Sequence, residues 1–218
     1  MTANRLTHGF QLEEKPETYA AHFGTDMAEF SSNKIMMVAP TTQLGHLGVV
    51  LGEGCKQPIH QSIGRRDEGT ILGVEVDAAY SDAVLKTLVA AGAVVLKRPV
   101  EKPSEIVIND DTVMWTSGAV RNWAQRRIIC EAARSIFFYG YPLVNSILYP
   151  KTDAGAKAGA EDVGQGLKDM RDNSPAKISG FKLEVAWGTS GSLQVDWAVY
   201  DLNRLKIIEN SILLDEAQ

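Results

Sequence analysis

What this 218-residue sequence lacks narrows its function first. It has only two cysteines, Cys55 and Cys130, far apart and with no Cys-x-x-Cys pair. That excludes a zinc ribbon and a disulfide scaffold, and two reduced thiols are the expectation. No apolar run approaches the roughly 20 residues of a membrane-spanning helix. The longest, "SIFFYGYPLVNSILY", is broken by Gly140, Pro142 and Asn145, so no membrane partner is expected. The opening "MTANRLTHGF" has no apolar core of a signal peptide, which points to a cytoplasmic (or virion) location. There is no excess of positive charge: 22 basic and 27 acidic side chains leave a net charge of -5. A mildly acidic chain does not gather polyphosphate, which disfavours nucleic acid as a main partner.

Catalytic patterns are missing as well. The histidines His8, His22, His46 and His60 all fall in the first 60 residues, but they form neither His-Glu-x-x-His nor His-x-His. Gly52 and Gly54 in "LGEGCKQP" stand too close for a phosphate loop, and no Ser or Thr follows Lys56. "WGTSGS" and "WTSGAV" are not nucleophile elbows. Glu13, Glu14, Glu75, Asp77 and Asp82 supply carboxylates, but charges at strand ends and helix caps are usually solvated. No catalytic, cofactor-binding or metal residue is assigned, and no cofactor is expected.

What is present is architecture. "RLTHGFQLEE" reads as a strand, and Pro16 opens a helix over about 16–29. "NKIMMVAP" and the glycine-rich "LGHLGVVLGEG" read as further strands. Residues 70–99 read strand, helix, strand. Ile71, Val74 and Val76 form the first strand. Ser81 or Asp77 caps a helix with Val84, Leu85, Leu88 and Val89 on one face, Gly92 ends it, and 93–99 is the second strand. Residues 100–118 suggest a hairpin turning at 109–111, with Ile106 and Ile108 facing Val113 and Trp115. A helix over about 118–138 has the apolar stripe Val120, Trp123, Ala124, Ile128, Ala132 and Ile136, with Arg121, Arg126, Arg127 and Arg134 on its other faces. Residues 141–153 read as a short extended segment.

The segment 154–175 carries glycines at 155, 159, 164 and 166, each costing a helix roughly 1 kcal/mol relative to alanine. It reads as a connector that turns helical only near 163–170. After it, Phe181, Leu183, Val185 and Trp187 alternate with polar or small residues, and so do Leu193, Val195, Trp197 and Val199; "LKIIENSILL" makes a third strand. The expected fold is α/β (α+β): a mixed sheet with strand-helix-strand units, helices on one side, and a C-terminal three-stranded antiparallel meander. Its expected divisions are an α/β domain over 1–153, the connector 154–175 and the meander 176–218. Residues 6–39 and 70–98 are candidate copies of one unit, offset by about 64 positions.

Two resemblances bear on function. "LGVEVD", "SDAVLK", "AVVL", "VMWTSGAVR" and "SILYPKTD" follow the order of motifs in the bacterial microcompartment shell domain. That resemblance implies Lys86 at an edge between neighbouring subunits. "LGVEVDAAYSDAVLKTLVAAGAVVLKRPVEKPS" is similar to the start of a module in the vicinal oxygen chelate group, and "LTHGFQL" could begin its pair. That resemblance implies a metal-dependent enzyme with His8 as a first ligand, joined by His46 and a carboxylate, although Glu75 stands where a histidine is usual. Size and class also suit a virion neck or tail component with a β extension that clasps a neighbour. The leading expectation is a non-enzymatic structural subunit that associates with copies of itself and with other assembly subunits. Its interface residues would be Lys86, Arg121, Trp123, Arg127, Trp187 and Trp197, since aromatic residues and arginine favour interface cores. The alternative is the small metal-dependent enzyme.

Overall fold

Short apolar runs form the strands of the first half. The computed structural model describes residues 8–11, 35–39, 46–64, 71, 81–90, 92–109, 111–113, 120, 122–144, 150–188, 192–202 and 207–214. Strands β1 (His8–Gln11), β2 (Ile35–Ala39) and β3 (Ala93–Lys97) lie side by side and parallel, in register through pairs such as Phe10 with Met37 and Val38 with Val94. The two-residue β4 (Val107–Ile108) closes the edge antiparallel to β3, so the order is β1-β2-β3-β4. Parallel strands need long crossovers; the helix expected over 16–29 falls in one, outside the described residues. The strand expected over 71–76 also lies outside them, apart from Ile71, whose N–H bonds the Ile106 carbonyl at 3.0 Å.

Met36, Met37 and Val38 in β2 and Ala93, Val94, Val95 and Leu96 in β3 are fully buried. Continuous burial, rather than alternation, is what a parallel strand covered on both faces shows. Met36, Val38, Val50, Val94, Leu96 and Trp123 anchor one apolar cluster.

The stretch expected as a glycine-rich strand is a helix, α1 (His46–Lys56). Its buried positions His46, Val50 and Gly54 recur every four residues, a helical period. Gly54 lies so close under the Trp123 indole that any Cβ there would overlap the ring. Helix α2 (Asp82–Ala90) buries Leu85 and Leu88. Ser81 starts it, its hydroxyl accepting from the Val84 N–H at 3.4 Å. It ends at Gly92, whose φ of 92° is a conformation few other residues adopt.

The hairpin expected over 100–118 is replaced, where it is described, by pairing to β3. Leu96 opposes Ile108, the Asn109 N–H bonds the Val95 carbonyl at 2.7 Å, and Thr112 Oγ1 bonds the Ala93 carbonyl at 2.8 Å. Trp115 lies outside the described residues.

Helix α3 (Trp123–Val144) starts later and runs further than expected. Asn122 caps it, its side-chain oxygen accepting from the Gln125 N–H at 2.9 Å, and Asp111 accepts from the Trp123 and Ala124 N–H groups. The apolar stripe from Val120 to Ile136 is buried. Pro142 sits in the last turn and is exposed, so the helix loses one hydrogen bond at its C-terminal end rather than in its middle.

The expected connector is also a helix, α4 (Asp153–Asp172). Thr152 caps it, accepting from the Gly155 N–H at 3.2 Å. Its glycines Gly155, Gly159, Gly164 and Gly166 are all buried. A Cβ at Gly166 would come 2.6 Å from Ser135 Cβ and 3.0 Å from the Tyr139 ring on α3; one at Gly164 would come 3.3 Å from Leu183. The glycines therefore allow close packing on two sides, which outweighs their poor helix propensity.

Beyond it, β5 (Gly180–Trp187), β6 (Leu193–Tyr200) and β7 (Ile207–Leu214) form an antiparallel sheet in chain order. Eight pairs join β5 to β6 and eight join β6 to β7, with no bulge. The chain divides into two compact units, Met1–Arg127 and Ile128–Gln218. Among the described residues, no helix is long and apolar enough to cross a membrane.

Candidate functional site

Three of the expected interface residues lie in the first unit and are described. Lys86 is exposed on α2. Trp123 is buried, its ring over Gly54. Arg127 is half-buried, with its guanidinium 5.1 Å from the centre of the Trp123 ring and Nη2 donating to the Gln57 carbonyl at 2.7 Å. Burial pulls the Arg127 guanidinium below its ordinary pKa, while Cys55 and Asp111 push it back up. A guanidinium stays charged throughout. Arg127 and Trp123 thus brace the end of α1 against the start of α3. Arg121 lies outside the described residues. Arg126, expected on an outer face, is buried.

In the second unit, Trp197 on β6 is buried and Trp187 on β5 is half-buried. Both indole N–H groups are shielded from solvent, and among the described residues neither meets a hydrogen-bond acceptor. Lys151 Nζ stands 5.8 Å from the centre of the Trp187 ring. At the other end of β5, Arg171 lies over Phe181 at 5.6 Å while pairing with Asp172 at 2.6 Å. That pair holds the Asp172 carboxyl below the usual carboxylate range, with the hydrogen bond from Arg171 the largest cause.

The most distinctive surface is β5 itself. It pairs with β6 on one side, and among the described residues no strand pairs with its other side. Phe181, Leu183, Val185 and Trp187 are all half-buried, whereas Val195, Trp197 and Val199 on β6 are buried. The opposite face of β5 shows Lys182, Glu184 and Ala186 to solvent. An eight-residue edge without proline or bulge offers a row of backbone donors and acceptors to another chain.

Sequence reasoning also missed the exposed aromatics of α3, Phe138 and Tyr141. The signal was there: on a helix running to 144, both fall opposite the Ile128, Ala132 and Ile136 stripe. As for a metal, His46 lies on a helix, not on a strand of a paired module. Among the described residues no three His, Cys, Asp or Glu side chains gather in one place.

Neither a protein-family model nor a curated protein sequence matches the chain. Solved structures do. It is similar to a sheath tail protein from Desulfitobacterium hafniense, with a TM-score of 0.65 at 12% identity, over 94% of this chain and 48% of that one. It is similar to a sheath tail protein from Listeria innocua, with a TM-score of 0.63 at 9% identity, over 94% of this chain and 56% of that one. A chain of the anti-feeding prophage baseplate, determined with six-fold symmetry by cryo-electron microscopy, gives a TM-score of 0.51 at 13% identity, over 94% and 63%. The chain spans about half to just under two thirds of the length of each. At such identities the likeness is one of fold.

Proposed function

We propose that this chain is a non-enzymatic structural subunit of a tail-like assembly, virion-associated, where it joins copies of itself and other subunits. The observation that carries the reading is the shared fold with two sheath tail proteins along 94% of the chain. The edge of β5, unpaired among the described residues, supports it by offering a means of joining. A strand from a neighbour would extend the sheet, satisfying the outward backbone groups and covering the half-buried side of Leu183 and Val185.

Sedimentation velocity and negative-stain electron microscopy of the purified chain test this. Concentration-dependent oligomers, rings or tubes are the expected result. A monomer that persists across the whole accessible concentration range overturns the proposal. A Val185→Lys variant refines the test, because a charge pointing inward from an edge strand blocks strand addition. The monomer should stay folded, because Val185 is only partly buried and the long lysine stem can carry its charge out to solvent, while the sedimentation profile shifts to monomer.

A further inference from the structure

The fold leaves aromatic rings in solvent on the outer side of α3. Phe138 is 71% exposed and Tyr141 39% exposed. Tyr141 leans on Phe137 with ring centroids 5.4 Å apart, and Phe138 meets Tyr139 edge-on at 5.3 Å. Arg134, one turn before Phe138, is exposed and pairs with Glu131 at 3.1 Å. Arg134, Phe138 and Tyr141 follow one another at helical spacing on the side away from buried Ala132, Ile136 and Leu143. A cation rimming exposed aromatics has the composition of a protein contact.

The same unit carries a face that complements it. The outer side of α4 begins with the small residues Ala154 and Ala158 and continues to Glu161, all exposed. Arg134 to Tyr141 and Ala154 to Glu161 each span seven positions, about 10 Å along a helix. Set antiparallel, the two stripes place Tyr141 at Ala154, Phe138 at Ala158 and Arg134 at Glu161. Bulk then meets small residues, and positive charge meets negative.

We infer that the aromatic face of α3 docks on the outer face of α4 in a second copy of this chain, with Arg134 paired to the glutamate at 161 of that copy. The inference rests on the reading of the chain as a self-associating subunit. The two faces differ, so the contact is head-to-tail: each added copy leaves one face of each kind free, and an open array or a closed ring results. A single helix-on-helix contact is small by the standards of stable interfaces, so it acts together with other contacts such as the β5 edge.

The full chain tests it by sedimentation velocity. Phe138→Ser should raise the dissociation constant of self-association roughly tenfold, as loss of an interface anchor does. Arg134→Glu and Glu161→Arg should each weaken association when alone, because like charges then face each other. An equimolar mixture of these two variants should associate again, since alternating copies restore opposite charges at every contact. Thermal melts equal to that of the unmodified chain separate loss of contact from loss of fold. If Phe138→Ser melts early, the charge-swap mixture, which alters only exposed side chains, decides the matter. Variants that associate as the unmodified chain does, or a mixture no better than its components, overturn this contact while leaving the assembly reading intact. An unmodified chain that stays monomeric overturns both.

Discussion

The two sheets of this protein solve the burial problem differently. In the first, β2 and β3 are buried on both faces, and their side chains form an unbroken apolar run. In the second, β6 is buried along most of one face, while β5 at the edge is only partly buried even on its apolar side. The first sheet is internally complete along β2 and β3. Among the described residues, the second keeps apolar surface and backbone hydrogen-bonding capacity at its margin. A strand that gains from further cover is one that another chain can stabilise.

The largest expected effect tests that contrast directly. Leu96→Ala in β3 should cost about 3 kcal/mol, because Leu96 is fully buried and its neighbours cannot all close the cavity. Leu183→Ala in β5 should cost less, about 1–2 kcal/mol, because a partly exposed side chain has less to lose. Urea titrations of both variants measure this, with each unit's transition followed separately if they do not coincide. Equal losses would erase the distinction between the sheets. Next in size, Gly166→Val should destabilise the second unit by about 2 kcal/mol, since the new side chain meets Ser135 and Tyr139. An unchanged urea midpoint would mean that α4 does not depend on close approach to α3.

The smallest effect concerns pH. Asp172 has a lowered pKa in the folded state, so its ion pair favours folding above the ordinary carboxylate range, and that contribution fades as pH falls through the lowered value. Both partners are exposed, so solvent weakens the pair. Asp172→Asn should therefore lower the melting temperature only slightly at neutral pH and not at all at low pH, where the pair is already lost. A clear drop at neutral pH would show that the pair matters more to the second unit than its exposure implies.

The α/β class was legible from pattern alone, and so were the helices whose signals are local. Helix α2 has a capping serine, two buried leucines one turn apart and a terminal glycine, all within reach of one another in sequence. Helices α1 and α4 were misread for a shared reason. Their glycines look like breakers because propensity describes a helix in water. At Gly54 and Gly166 the missing side chain is instead required by a ring that arrives from residue 123 or 139, and no local window contains that information. Tryptophan is equally suited to a core and to a contact, and the chain buries Trp123 and Trp197. Phe138 stood at the last position of the expected helix and Tyr141 beyond it, so the outer face they share was not visible.

The glycines of α4 also bear on the order of events at the ribosome. With four glycines in 20 residues, this segment gains little from coiling in isolation. Leu183, which packs over Gly164, is synthesised after it. The segment therefore draws its rigidity from a helix already made, through Ser135 and Tyr139, and from a strand still to come, through Leu183, so its full packing has to wait until Leu183 has emerged.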